Sequence, residues 1–249
     1  MQTGIVSVTF RALAPEQVIA LTKQAGLDGI EWGSDVHVPC GAGLRHAEHV
    51  GELTRAAGLS VLSLGSYFGS AQGTRAEQEP ETLVQTARAL GAPHIRIWAG
   101  GRGTAEATED DWEQCIRKAS ALADCAAAEH IRVSFEYHPN TLTDEPHAAC
   151  RLVERIARPN VGLYWQPNYF LDAEKNREAL RLVLPWLTNL HVFHWRETTS
   201  LPLAEGEALW RSFFAQVDAK APHAALMEFV RDNDPAQFLE DAACLRRML

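Results

Sequence analysis

No run of lysine or arginine occurs anywhere in the 249 residues, and acidic residues outnumber basic ones by 32 to 23, giving a formal net charge of −9. Such a chain has little with which to release counterions from a phosphate backbone, so nonspecific nucleic-acid binding is disfavoured. Cysteine is scarce. Cys40, Cys115, Cys125, Cys150 and Cys244 are odd in number and without CxxC spacing, a pattern that suits reduced thiols rather than a disulfide framework. No stretch approaches the roughly 20 apolar residues of a membrane span, and Met1-Gln2-Thr3-Gly4 lacks the basic flank and apolar core of a signal peptide. The expectation is a cytoplasmic protein with no membrane partner. Three catalytic signatures are also missing: a Gly-x-Gly-x-x-Gly turn after the first strand, a Gly-x-Ser-x-Gly elbow, and the Gly-Lys-Ser/Thr ending of a P-loop. Without that ending, Gly100-Gly101-Arg102-Gly103 reads as a flexible loop rather than a phosphate cradle.

What the chain does have is 46% apolar residues with only 17 glycines and 12 prolines, the composition of a globular domain with a sizeable core. Short apolar runs near 4–10, 29–32, 59–67, 94–99, 132–137, 161–166, 188–195 and 224–230 alternate with segments of helical period such as 15–25 and 79–90. Gly26, Gly58 and Gly91 follow apparent helix ends, and Pro15, Pro80, Pro146 and Pro235 sit near helix starts. Eight βα units in this length predict one (β/α)₈ TIM barrel domain over residues 1–249, ahead of an open doubly wound sheet.

In such a barrel, chemistry sits at the C-terminal ends of the strands. Four residues there interrupt apolar runs: Glu136, Gln166, His191 and Glu228. Buried carboxylates converging on one mouth call for a cation, a proton or an arginine. Two carboxylates, an amide oxygen and an imidazole make a mostly oxygen donor set, suited to one Mn²⁺, Mg²⁺ or Co²⁺ ion rather than to structural zinc. Taken singly, a late-strand glutamate is as easily a salt-bridge partner and a glutamine a satisfier of loop backbone. Their joint occurrence on strands five to eight favours the metal. His191 and His194 differ by three along a strand, so at most one faces the barrel interior.

A second cluster, Glu31-Trp32-Gly33-Ser34-Asp35-Val36-His37-Val38-Pro39, follows strand two. Its indole and polar groups suit a sugar pocket, against the plainer reading of a capped βα loop. His138 shares a strand face with Glu136 and is expected to orient substrate or the metal's surroundings. Substrate-binding candidates are therefore Glu31, Trp32, His37, His138, His194 and Arg196.

With its IEWGSDVHVP and FEYHPNTLTD segments and the order Glu136, Gln166, His191, Glu228, the chain resembles the xylose isomerase-like barrel superfamily, in particular its sugar phosphate isomerase/epimerase branch. That branch includes ketose 3-epimerases and 3-dehydroshikimate dehydratases. The resemblance spans the chain. It implies that Glu136, Gln166, His191 and Glu228 hold one divalent ion and that the two glutamates move the proton. It also departs: the family usually has Asp at position 166 and often His at position 169, where this chain has Gln166 and Tyr169. The expected activity is isomerisation or epimerisation of a small ketose, sugar phosphate or polyol-derived ketone through an enediolate. A metal-dependent dehydratase and a noncatalytic sugar-binding barrel are the alternatives, and an endonuclease fits this acidic chain least. The expected partner is a small carbohydrate or related molecule, with homo-oligomerisation left open.

Overall fold

A computed structural model describes all 249 residues. Eight parallel strands close into a barrel in chain order: β1 (Gln2–Val6), β2 (Gly29–Gly33), β3 (Ser60–Gly65), β4 (His94–Ile97), β5 (Arg132–Glu136), β6 (Val161–Trp165), β7 (Leu187–Val192) and β8 (Ala224–Met227), the last pairing with β1. Between and after them lie helices α1 (Pro15–Ala25), α2 (Leu44–Ala56), α3 (Pro80–Leu90), α4 (Glu109–Ala128), α5 (Pro146–Ile156), α6 (Ala173–Val183), α7 (Glu207–Phe214) and α8 (Pro235–Met248). The eight-stranded barrel expected from the alternation of runs is present. No helix is long and apolar enough to cross a membrane.

Local chemistry explains the element ends. Pro15, Pro80, Pro146 and Pro235 each occupy the start of a helix, where the missing N–H would have had no intrahelical partner. Gly26 and Gly91 close α1 and α3 at φ 67° and 81°, left-handed conformations that cost least without a Cβ. Except for β2, the strands are shorter than the apolar runs that revealed them. The first run turns into a 3₁₀ segment at Ser7–Phe10, and residues 195–196 leave the barrel to pair with 199–200 in a short hairpin over the mouth.

Strand alternation divides the side chains into two populations. Ile5, Ile30, Leu64, Ile95, Ile97, Phe135, Leu163, Trp165, Leu190 and Met227 face outward and join the helices in one large apolar core. Each such buried side chain contributes roughly 1.5–3 kcal/mol. A separate small apolar group, which includes Val6, Leu62, Tyr164 and Leu226, belongs to the barrel interior. The rest of the interior is polar and nearly closed to solvent: Glu31, Ser63, Arg96, Ser134, Glu136, Asn189 and His191. A core that tolerates so many ionisable groups needs their charges matched.

Candidate active site

Strand register brings the four late-strand residues together. Trp165 pairs with Leu190, so Gln166, the next residue after β6, comes level with His191 of β7. Leu226 pairs with His191 and Met227 with Val192. The backbone N–H of Glu228 extends that ladder by donating to the Val192 carbonyl at 3.0 Å. Glu136 is the last residue of β5. Phe229, directly after Glu228, stands at φ 56° and donates its N–H to Thr9 Oγ1 at 3.1 Å. That left-handed turn is costly for a bulky residue and is held by its surroundings.

His191 is the centre of the group. Its Nδ1 lies 3.1 Å from Gln166 Oε1, 3.3 Å from Glu228 Oε2 and 3.6 Å from Glu136 Oε1. Its Nε2 lies 3.6 Å from Glu31 Oε1 and has no hydrogen-bond partner. Arg96 completes the cluster from β4: its Nη1 is 2.9 Å from Glu136 Oε2, and its Nε donates to Glu31 Oε1 at 3.3 Å. Ser63 donates to the other oxygen of Glu31. Gly65 leaves the room this pair needs, because a Cβ there would lie 2.7 Å from Glu31 Oε1 and 2.8 Å from Arg96 Nη2.

The charges respond to one another. Burial pushes the Glu31 carboxyl up, but His191, Arg96 and Ser63 together hold it at about 2. Burial likewise opposes ionisation of Glu136, and Arg96 and His191 bring it to about 2. For His191, burial favours the neutral ring, yet Glu228, Glu136 and Glu31 raise its pKa well above the ordinary imidazole value. Three carboxylates face one guanidinium, which leaves two negative charges when the imidazole is neutral.

A divalent cation matches that deficit. Donors around one ion at about 2.1 Å lie roughly 3 Å apart when adjacent, close to the separations around His191 Nδ1, and Glu136, His191 and Glu228 offer ligand atoms all within 4.8 Å of one another. This buried Glu/His/Glu group could hold a metal ion, and the Gln166 amide oxygen lies beside it.

Above the cluster opens a cavity of about 120 Å³. Glu136, Gln166 and Glu228 line it together with His138, Asp144, Tyr169, Phe193 and Trp195. His138 lies in the cavity wall, with Nδ1 against the Pro139 carbonyl at 2.7 Å and its ring tilted on Trp98 at 4.3 Å. Glu31 lies in the polar interior with Arg96 and His191.

Other expected substrate contacts fall elsewhere. Trp32 is fully buried on the helix side of β2, where its Nε1 donates to Thr54 Oγ1 of α2 at 3.2 Å. The adjacent residue to an inward-facing Glu31 must face outward. His37 is also buried. Its Nδ1 meets Ser7 Oγ at 2.9 Å and its Nε2 the Leu13 carbonyl at 3.0 Å, so it ties loops together and has no free nitrogen for a ligand. His194 faces away from the cavity toward Gly206. Arg196 is exposed on the hairpin and does not line the cavity.

Arg96 and Trp195 were missed. Arg96 had the same signal as Glu136, a charge alternating with apolar residues in HIRIWA. Trp195 had a weaker one: counting by two from His191 reaches Phe193 and Trp195, both in the cavity wall. A further cavity of about 170 Å³ lies across Trp98, beside Gly100, Gly101 and Arg102. It holds none of the barrel carboxylates, and Arg102 is paired with Asp111 at 3.1 Å.

The comparisons agree with this architecture. Residues 19–248 match the xylose isomerase-like TIM barrel family. The chain belongs to that family. A 3-dehydroshikimate dehydratase from Bacillus anthracis is 20% identical over 198 residues, covering 77% of this chain and 71% of the relative. Among solved structures, a probable 3-dehydroshikimate dehydratase of Bacillus anthracis involved in petrobactin synthesis superposes with a TM-score of 0.83 at 18% identity, over 99% of both chains. The apo form of a 3-keto-D-glucoside 4-epimerase from E. coli gives 0.74 at 16% identity over 100% of both chains. At these identities the structural likeness speaks for the fold.

Proposed function

We propose that this barrel is a metal-dependent isomerase or epimerase of a small keto-sugar. The observation that carries the reading is the pair Glu136 and Glu228, set on either side of His191 at the mouth, with carboxylate oxygens 3.6 and 3.3 Å from its Nδ1. Glu136, Gln166, His191 and Glu228 would hold one divalent ion, with Mn²⁺, Mg²⁺ and Co²⁺ all compatible with the donors. When bound, such an ion supplies Lewis acidity that makes a proton beside a carbonyl easier to remove.

The chain's own residues supply the remainder. One glutamate takes the proton from carbon; a proton returned by the other to the opposite face of that carbon inverts the centre, and one returned instead to the former carbonyl carbon, with a proton passing from the hydroxyl oxygen to the carbonyl oxygen, moves the carbonyl. Arg96 keeps Glu136 ionised and so able to accept a proton. His138, in the cavity wall, orients a substrate hydroxyl. Glu136, Gln166, His191 and Glu228 are nearly closed to solvent, which strengthens the contacts among them.

A dehydratase is the second reading, favoured by His138. An imidazole in the same cavity as the two glutamates can assist departure of a β-hydroxyl once the adjacent carbon has lost its proton. The experiment that separates the two incubates the metal-loaded protein in deuterium oxide with a panel of ketoses and, separately, with 3-dehydroshikimate. Isomer formation with deuterium at the reacting carbon supports the first reading. An aromatic product from 3-dehydroshikimate alone replaces it with the second, and neither product removes both.

A further inference from the structure

The walls of the mouth differ sharply from its floor. Trp195 is the hub of the wall: its ring stacks on Tyr169 at 5.4 Å and 29°, and meets Phe193 and Phe229 edge-on, each at 6.0 Å. No lysine or arginine lines the cavity, whereas three carboxylates do, those of Glu136, Asp144 and Glu228. The neighbouring arginines are committed or turned away. Arg96 is buried between Glu31 and Glu136, Arg11 is paired with Asp35 and Tyr67, and Arg102 with Asp111. Arg196, next to Trp195 on the hairpin, projects to the opposite side and is exposed.

We propose that this mouth selects an uncharged keto-sugar and rejects phosphorylated or carboxylated ones, with Trp195 as the residue on which the sugar stacks. The inference rests on the proposed function and narrows its substrate class. An apolar C–H face of a sugar stacks on the indole while its carbonyl and hydroxyls meet the polar floor. A phosphate or carboxylate on the end of the substrate away from the carbonyl lies against the wall, beyond the residues that would hold the ion, where it loses its hydration without gaining a lysine or arginine, and it approaches Asp144, whose carboxylate is held by the Thr104 N–H at 3.0 Å. Rejection by an unpaired charge is steeper than rejection by shape.

The test is calorimetry on the metal-loaded protein with D-fructose, D-psicose and D-tagatose, each beside its 6-phosphate, and with 3-dehydroshikimate. The free sugar of at least one pair is expected to bind at least about tenfold more tightly than its phosphate and than 3-dehydroshikimate. A phosphate that binds as tightly as its free sugar in the best-bound pair, 3-dehydroshikimate as the tightest ligand, or no binding by any sugar overturns the inference. Binding of the free sugar without isomerisation leaves the selection standing and overturns the proposed reaction instead. Trp195→Ala is expected to lose about tenfold in sugar affinity with metal affinity unchanged, Trp195→Phe to keep most of it, and Trp195→Arg to shift the ratio toward the phosphate. A merely structural tryptophan would lower stability in all three without moving that ratio, which also overturns the proposal.

Discussion

Arg96 Nη1 sits 2.9 Å from Glu136 Oε2 in a contact almost wholly closed to solvent, with both side chains about 5% exposed. Since Arg96 also bonds Glu31, one guanidinium balances two buried carboxylates from strands on either side of β4. Arg96→Met is therefore expected to destabilise the metal-free fold by about 3–5 kcal/mol, the usual cost of leaving buried charge uncompensated. A divalent ion should recover more stability in the variant than in the parent, because it supplies positive charge where the arginine supplied it. Denaturant unfolding of both proteins with and without Mn²⁺ checks this. An equal metal effect in the two would show that Arg96 and the ion site are electrostatically independent.

Trp32 lies on the opposite side of its strand from Glu31, with its indole N–H on Thr54 in the helical layer. Trp32→Phe is expected to cost about 1 kcal/mol or somewhat more in stability, from a lost hydrogen bond and lost volume, while KM for any substrate stays within a factor of about two. A large rise in KM with stability intact would return Trp32 to the substrate pocket.

The contrast between these two residues shows what the chain discloses before folding. Glu136, Gln166, His191 and Glu228 were legible because each breaks an apolar run near a strand end, and the barrel alone requires those ends to converge. Trp32, His37, His194 and Arg196 were misplaced because proximity in sequence to a polar strand end does not say which face a side chain takes. Two of them fall to the period of two: Trp32 alternates with Glu31, and His194 with Phe193. Arg96 breaks HIRIWA by the same rule that exposed Glu136, yet a basic residue in an acidic site draws no attention until the carboxylates it neutralises are in view. The aromatic wall around Trp195 depends on a hairpin that leaves the barrel after β7, and nothing in the run 188–195 marks that departure.

Gln166 Oε1 lies 3.1 Å from His191 Nδ1, among the oxygens of Glu136 and Glu228. If the amide oxygen is a metal ligand, Gln166→Asp adds a negative charge to a cation site, and divalent affinity should rise about tenfold, equivalent to about 1.4 kcal/mol. The metal-free protein should meanwhile lose stability, since another carboxylate enters a group already short of positive charge. Calorimetric titration with Mn²⁺, Mg²⁺ and Co²⁺ gives the first quantity and denaturant unfolding the second. Unchanged affinity in a folded Gln166→Asp protein would confine Gln166 to orienting His191.

Glu136 and Glu228 approach the centre from different strands, so each is expected to serve one face of the substrate carbon. Glu136→Gln and Glu228→Gln should each reduce turnover by at least about a thousandfold, in the range expected when a positioned acid or base is removed. Loss of rate alone is ambiguous, because both residues are also proposed ligands and either change can expel the ion. The comparison therefore has to be made at saturating metal, with retained ion verified, on a ketose deuterated at the reacting carbon. One variant is then expected to wash out the label without forming epimer, since its remaining glutamate can remove and return a proton on one face while nothing delivers one to the other. Near-parental epimerisation by both metal-loaded variants would show that neither is the base, and the role would pass to Glu31 or His138, the remaining carboxylate of the interior and the imidazole of the cavity wall.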